Sequence, residues 1–94
     1  MRKIEHSTAF KRDYKRVKLS PRYRKDLDAI LTDILNLLVV DELLPEKYLD
    51  HNLGGDYRGY RECHIKPNLL LIYSKSDSNV LRLARLGSHS ELFE

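Results

Sequence analysis

The chain has one cysteine, Cys63, among its 94 residues, so it cannot form an intramolecular disulfide. A lone thiol is typical of proteins in a reducing compartment. Apolar runs are short, and none approaches the roughly 20 residues that a membrane-spanning helix needs. The charged N-terminus also lacks the apolar stretch of a secretion signal. We therefore expect a cytoplasmic protein with no membrane contact.

Repeats, low-complexity tracts and linkers are also missing, which indicates one domain over residues 1–94. Charge, in contrast, is unevenly distributed. Residues 1–25 carry ten Lys/Arg and two Asp/Glu, a local net charge of +8, whereas residues 26–50 carry one and seven, a net charge of −6. Such a basic segment attracts phosphate backbones or an acidic protein. The alternative is a solvated helix face with long basic side chains.

Two helices are predicted in the first half of the chain, after a short strand at residues 3–5. Ser7 can cap the first helix, whose apolar residues recur at i, i+4 and i+7. Ser20-Pro21 is a strong start signal for the second helix, which should end near Val40. Only a few residues join the two helices, so we expect them to pack as a hairpin.

A three-stranded meander is predicted in the second half, with strands near residues 57–65, 69–73 and 80–86. The middle run is continuously apolar, as expected for a central strand that is covered on both faces. With the opening strand, these elements predict an α+β domain in which two N-terminal helices pack on a four-stranded, mostly antiparallel sheet. Helices on one face would leave the other face free for a ligand.

The spacing of the possible metal ligands is poor. His51, His64, His89 and Cys63 are acceptable zinc ligands in kind, but no two of them form a closely spaced ligand pair. Cys63 and His64 are adjacent on a predicted strand and therefore point to opposite faces. We expect Cys63 to be a small core residue, and we expect neither a metal nor another cofactor.

Alternation assigns faces to the polar residues of the meander. Tyr60, Glu62 and His64 alternate on one side of its first strand. On the last strand, the same period puts Arg85 on one side with Leu83. Period alone does not say which sides of the two strands coincide, so the proximity of His64 and Arg85 stays open at this point.

Histidines and an arginine near strand ends favour acid–base chemistry on a phosphodiester. Histidine titrates near neutral pH, and arginine binds phosphate with two parallel hydrogen bonds. In RNA, a 2′-hydroxyl can attack the adjacent phosphorus, so a protein needs only to move protons and stabilise phosphoryl charge. His89 lies just beyond the last strand, where loops gather functional groups. The simpler alternative is that these are surface residues on a small sheet.

The motifs of a known family lie in the same half of the chain. They are YLDHNLGG at 48–55, GYRECHIKP at 59–67, LLIY at 70–73 and RLGSHSELF at 85–93. In order and spacing they resemble the YafQ branch of messenger-RNA endonucleases, within the RelE/ParE toxin superfamily. Together with the helix pair, the resemblance covers nearly the whole chain.

The resemblance implies a four-stranded sheet flanked by helices, cleavage of messenger RNA in the ribosomal A site, and inhibition by a small cognate antitoxin. His51, His64 and His89 fall on the branch's functional histidines, and Arg85 falls on its phosphate-binding arginine. Phe93 falls on the C-terminal aromatic, which would stack on or shape the base pocket. Its alternative role is to pin the C-terminus to the core.

One position departs from the branch, which usually has an Asp after the Pro67 turn where this chain has Asn68. Asn cannot accept a proton as a carboxylate does, so Glu62 is a candidate for the base. The expected catalytic residues are therefore His51, Glu62, His64, Arg85 and His89. The expected RNA-binding residues are Lys11, Arg12, Lys15, Arg16, Arg61, Lys66, Asn68 and Phe93. The basic residues of the first helix among them would bind ribosomal RNA or, in turn, an acidic antitoxin segment.

Two non-enzymatic alternatives share this fold. One is a poison such as the gyrase-directed ParE branch, whose members lack the histidine set. The other is a catalytically silent protein that only binds an antitoxin and, as a complex with it, operator DNA as a co-repressor. The substitution at Asn68 keeps the second alternative open.

Overall fold

The computed structural model describes residues 1–93 as a mixed sheet with helices packed on it. In chain order the elements are β1 (Lys3–His6), α1 (Thr8–Leu19), α2 (Leu27–Leu38), β2 (His51–Asn52), β3 (Arg61–Lys66), β4 (Leu69–Ser74), β5 (Val80–Gly87) and α3 (His89–Phe93). Two single-turn 3₁₀ helices, Glu46–Tyr48 and Gly55–Tyr57, flank β2. The strand order is β1-β5-β4-β3-β2, with β1 parallel to β5 and every other pair antiparallel.

The α+β class and the two N-terminal helices are as expected, but three details of the prediction are wrong. The sheet described for residues 1–93 has five strands rather than four, because β2 adds an edge strand of only two residues. The sheet is mixed, because β1 pairs in parallel with the distant β5. A third helix, α3, follows the last strand. A two-residue strand and a one-turn helix are too short for periodicity to predict.

The start of α1 is as expected, whereas that of α2 lies further along the chain. Ser7 Oγ accepts a hydrogen bond from Phe10 N–H at 2.9 Å, which caps α1. Residues 21–26 form hydrogen-bonded turns after Ser20 instead of regular helix. Asp26, with φ −123° and ψ 3°, interrupts them, so α2 begins at Leu27. The predicted helix start at Ser20-Pro21 is therefore wrong, and the predicted end near Val40 is close to the observed Leu38.

Apolar side chains pack on both faces of the sheet. The larger core lies between the sheet and the two long helices, and Cys63 is buried there, as expected. The other face, called the distal face below, is not bare. Its small core contains Leu70, Ile72 and Leu92, with Leu53, Tyr57, Tyr60 and Ala84 packed against it. The 53–60 segment and α3 therefore cover part of the distal face, and β4 is buried on both sides, as its apolar run predicts.

A bulge in β5 changes the facing of Arg85. Leu83 pairs with Tyr73, but Arg85 pairs with the next residue of β4, Ile72, so Ala84 is an extra residue in β5. Leu83 packs in the helix-side core, whereas Ile72 lies in the distal core. The prediction that Arg85 shares the side of Leu83 is wrong, because an extra residue reverses the alternation beyond it.

Within residues 1–93, no helix combines the length and the apolar content that crossing a membrane would require.

Candidate active site

A carboxylate and two imidazoles meet at the β2–β3 edge of the sheet. His51 of β2 is paired with Glu62 of β3, and His64 lies two residues further along the same strand. Glu62 Oε2 is 3.5 Å from His51 Nε2, and Glu62 Oε1 is 3.5 Å from His64 Nε2. The Glu62 side chain is only 3% exposed, whereas that of His51 is 51% exposed. The carboxylate is therefore the buried centre of a His51–Glu62–His64 cluster that solvent reaches through its imidazoles.

Glu62 Oε1 is buried and has no hydrogen-bond partner within residues 1–93. Buried polar atoms are nearly always hydrogen-bonded, and an unsatisfied one costs about 1–3 kcal/mol. The 3.5 Å contact with His64 is an ion-pair distance rather than a hydrogen bond. Because this oxygen is buried, the group placed to donate a hydrogen bond to it is the neighbouring imidazole of His64 after a small reorientation.

The backbone fixes which nitrogen of His51 faces the carboxylate. His51 Nδ1 lies 2.7 Å from the carbonyl oxygen of Leu49, and a carbonyl can only accept, so Nδ1 carries the hydrogen. Leu49 has a left-handed φ of 51°, a conformation that costs roughly 1–3 kcal/mol for a residue with a side chain. This hydrogen bond leaves Nε2 as the nitrogen that can exchange a proton beside Glu62.

Arg85 is held by a buried carboxylate of α1. Asp13 accepts hydrogen bonds from Arg85 Nε at 2.7 Å and Arg85 Nη2 at 3.2 Å, and also from Leu86 N–H at 3.0 Å. Arg16 Nη1 is a further donor, at 3.0 Å. Burial alone would raise the pKa of Asp13, but the bonds from Arg85, Leu86 and Arg16 outweigh it and lower that pKa below 3.8. The hydrogen bonds that Arg85 donates to Asp13 raise the pKa of Arg85.

An aromatic ring packs against His89, just past the end of β5. The centroid of its ring is 5.1 Å from that of Phe93, and Phe93 is in turn 5.5 Å from Tyr57. Leu92 is buried in the distal core, whereas Phe93 is 40% exposed. Leu92 therefore anchors α3, and Phe93 offers ring surface to a ligand.

Strand register sets the distance between the His51–Glu62–His64 cluster and the residues around Arg85 and His89. Glu62, Ile72 and Arg85 form one row across β3, β4 and β5. The next row consists of His64, Leu70 and Gly87, and Gly87 lies two residues before His89. Because neighbouring strands lie about 4.8 Å apart, the ends of each row are roughly 10 Å apart at the backbone. The expected catalytic residues thus lie on or beside one face, in two groups separated by the width of β4.

The expected RNA-binding residues are more dispersed. Lys11, Arg12 and Lys15 are exposed on α1, and Asn68 is exposed in the β3–β4 turn. The other basic residues are held by acidic partners: Arg16 by Asp13 and Glu91, Arg61 by Asp50, and Lys66 by Asp26. Of the eight residues predicted to bind RNA, the structure brings Phe93 next to the candidate catalytic groups, and it places Arg61 on the helix side with Cys63.

Two residues of the site, Asp13 and Tyr57, are not among those predicted from the sequence. Asp13 is the only acidic residue between positions 6 and 25, and this isolation was the signal that could have marked it as a partner for arginine. Tyr57 carries no such signal, because only the fold brings residue 57 against α3. Cys63 takes no part in the site, since burial, with smaller contributions from Asp50 and Glu62, raises the pKa of its thiol and keeps it protonated.

Two solved structures similar to this chain are those of bacterial toxins. A copper-bound mutant toxin from Helicobacter pylori has a TM-score of 0.89 and 38% identity, over 99% of this chain and 100% of that one. The toxin in the Escherichia coli DinJ-YafQ toxin-antitoxin complex has a TM-score of 0.82 and 36% identity, over 99% and 98% of the two chains. The copper belongs to the first of these proteins. Within residues 1–93 here, no three His, Cys, Asp or Glu side chains are placed to hold a metal ion together.

Sequence similarity extends over the same length. The mRNA interferase toxin YafQ of Escherichia coli K12 is 40% identical over 93 residues, which are 98% of this chain and 96% of that protein. The model of the family described as the bacterial toxin YafQ of type II toxin-antitoxin systems matches residues 2–94. The chain belongs to this YafQ family.

Proposed function

We propose that this toxin is an endoribonuclease that cleaves messenger RNA in the ribosomal A site, without a metal. The relative from Escherichia coli K12 is an mRNA interferase, and the two chains align over nearly their full lengths. The residue types of the site fit this chemistry, because RNA supplies its own nucleophile. The protein then needs groups that accept a proton, donate a proton and stabilise phosphoryl charge.

The positions of the side chains support the following assignment of roles. Attack of the 2′-oxygen forms a bond to phosphorus and breaks the bond to the 5′-oxygen, leaving a 2′,3′-cyclic phosphate and a 5′-hydroxyl. The His51–Glu62–His64 cluster accepts the proton of the 2′-hydroxyl. His89 donates a proton to the leaving oxygen, and Phe93 beside it holds an unpaired base by stacking. Arg85 binds the non-bridging phosphate oxygens.

The observation that carries this proposal is the buried carboxylate of Glu62, which has one oxygen 3.5 Å from His51 Nε2 and the other 3.5 Å from His64 Nε2. A carboxylate that is 3% exposed and has an oxygen without a hydrogen-bond partner within residues 1–93 costs stability. The carboxylate that Asn68 cannot provide is supplied, in this proposal, by Glu62, which lies 3.5 Å from His64.

A small antitoxin is the second proposed partner. The Escherichia coli toxin of this fold is bound to its antitoxin DinJ. On this chain, the exposed bases of α1, Lys11, Arg12 and Lys15, fit an acidic antitoxin segment. The same bases fit ribosomal RNA phosphates, so antitoxin and ribosome would compete for α1.

The decisive experiment measures cleavage on purified ribosomes that hold a defined messenger RNA. We expect a single cut in the A-site codon and a 2′,3′-cyclic phosphate end. The cut should disappear when the 2′-hydroxyl at that linkage is replaced by hydrogen. His64→Ala and His89→Ala should each reduce the rate by about 10²–10⁴, whereas His6→Ala on β1 should not.

Cleavage of the 2′-deoxy substrate, or full activity of both histidine variants, would refute the mechanism. A gyrase poison or a silent antitoxin-binding protein would leave the ribosome-bound messenger intact, so the same assay separates these alternatives.

A further inference from the structure

Asp13, the buried carboxylate of α1, lies beside the candidate active site but has no role in the proposed reaction. Asp13 is 3% exposed and accepts hydrogen bonds from Arg85 Nε, Arg85 Nη2, Arg16 Nη1 and Leu86 N–H. A buried charge with four donors is fully paired, so its position is strongly determined. Two of these four bonds hold the guanidinium of Arg85 in bidentate geometry, which fixes its orientation as well as its position.

The geometry of that grip leaves the phosphate-binding edge of Arg85 available. A guanidinium has five N–H donors, and the Nε–Nη2 edge of Arg85 is the one that faces Asp13. The edge formed by Nη1 and the second hydrogen of Nη2 does not contact Asp13, and an edge of this kind can bind two oxygens of one phosphate. The Tyr57 hydroxyl also interacts with this guanidinium. Fixing one edge of the planar group sets the direction of the other.

The same carboxylate is connected to the helix that carries His89. Arg16 contacts Asp13 on one side and Glu91 of α3 on the other, where Arg16 Nε is 3.1 Å from Glu91 Oε2. Glu91 also accepts a hydrogen bond from Ser88 N–H at 2.7 Å, which closes the first turn of α3. A side chain at Gly87 would reach 3.0 Å from both Arg16 Nη2 and Glu91 Oε1, so this pair lies directly over the end of β5.

We propose that Asp13 is a positioning residue that orients the guanidinium of Arg85 toward a phosphate and, through Arg16 and Glu91, fixes α3, whose first residue is His89. This rests on the proposed role of Arg85 as the phosphate ligand. Asp13 touches no substrate, and its effect on the reaction passes through Arg85 and α3.

The test follows the N–H signals of Arg85 by ¹H–¹⁵N NMR while inorganic phosphate is added, and it requires no ribonuclease activity. In the native chain, Arg85 Nε–H should exchange with solvent at least tenfold more slowly than Arg12 Nε–H. Its Nη signals should shift on saturation with phosphate. Asp13→Asn should weaken apparent phosphate affinity at least threefold and remove the protection of Arg85 Nε–H. Asp33→Asn, which neutralises an exposed aspartate of α2, should change neither quantity.

Two further variants keep the outcome decisive. Asp13→Ser retains an acceptor for Leu86 N–H but loses the bidentate hydrogen bonds with Arg85. It replaces Asp13→Asn in the test if that variant does not fold. Arg85→Lys should weaken phosphate binding, followed in this variant by the shift of the Leu86 backbone amide signal. The proposal is overturned if a folded Asp13 variant keeps native phosphate affinity, or if Arg85 Nε–H of the native chain exchanges as fast as Arg12 Nε–H. Loss of the ribonuclease hypothesis alone would leave these NMR results unchanged, so the two failures are distinguishable.

The cleavage assay then separates positioning from folding. Asp13→Asn should lower kcat more than it raises KM, because a misdirected guanidinium mainly loses contacts to the transition state. A change confined to KM would contradict the positioning role.

Discussion

At the scale of single residues, Glu62 is the side chain whose neutralisation is most informative. The Glu62→Gln variant keeps the shape but replaces the carboxylate that lies 3.5 Å from both imidazoles with a neutral amide. We expect ribosome-dependent cleavage to fall at least about tenfold, toward the 10²–10⁴ that a positioned proton-transfer group contributes. Initial cleavage rates at saturating ribosome concentration provide the measurement.

The matched control is Glu5→Gln, which neutralises an exposed glutamate that is paired with Arg82. It should cleave at the native rate. If Glu62→Gln were as active as this control, the buried carboxylate would have no part in proton transfer, and the cost of keeping it buried would need another explanation.

The residues of this cluster illustrate what a sequence can and cannot predict. The alternation of β3 correctly places Glu62 and His64 on one side. The contact with His51 depends on the two-residue strand β2, whose pairing has no periodic signature. The grip of Asp13 on Arg85 joins positions 72 residues apart, and only the tertiary fold brings them together.

At the scale of secondary-structure elements, the N-terminus of α1 depends on Ser7. Its hydroxyl accepts from Phe10 N–H at 2.9 Å and donates to the carbonyl of Ala84 at 2.7 Å, so one side chain joins α1 to β5. Ser7→Ala should lower the free energy of unfolding by about 1–2 kcal/mol. For a chain of this size, the melting temperature should fall by roughly 4–8 °C per kcal/mol.

Thermal unfolding followed by circular dichroism measures this change. Ser78→Ala, in the exposed turn before β5, should melt within experimental error of the native chain. A Ser7→Ala variant that melts with this control would show that water replaces the cap at no cost.

The elements also show where local signals fail. Ser20-Pro21 begins a set of hydrogen-bonded turns, as its chemistry predicts, but Asp26 leaves the helical region and delays α2 to Leu27. The bulge at Ala84 reverses the facing of Arg85, and its cause lies in the pairing with β4 rather than in the sequence of β5. Periodicity describes the regular part of an element, and both errors occur where regularity ends.

At the scale of the whole molecule, paired carboxylates should set the acid stability. Hydrogen bonds from Arg85, Leu86 and Arg16 overcome the effect of burial and lower the pKa of Asp13 below 3.8. A lowered folded-state pKa means that this stabilisation is fully present above pH 3.8 and is lost as the pH falls through the folded value. Urea unfolding of the native chain should therefore give a free energy that is steady near neutral pH and decreases steeply below about pH 4.

Asp13→Asn should be less stable at neutral pH by about 2–3 kcal/mol, and its further loss of stability in acid should be shallower. Asp33→Asn should keep the native slope. An equally steep decline in Asp13→Asn would assign the acid sensitivity to the exposed pairs of Asp26, Asp28 and Asp41, whose pKa values are also lowered by lysine or arginine partners.

The location of charge, rather than its total, should govern association with the ribosome. Lys11, Arg12 and Lys15 are exposed on α1 and form no ion pair within residues 1–93. Changing all three to Gln lowers the net charge of +3 by three. If each base contacts one phosphate, the slope of log K against log salt should decrease by roughly 2–3. Co-sedimentation with ribosomes over a range of KCl concentrations measures that slope.

The control is a triple variant in which Arg22, Arg24 and Lys25 are changed to Gln. These residues are exposed in the α1–α2 connection, so the variant has the same change in charge on another surface. That control should retain most of the native slope, because counterion release depends on contacts rather than on net charge. Equal losses in the two triples would mean that α1 does not lie against RNA.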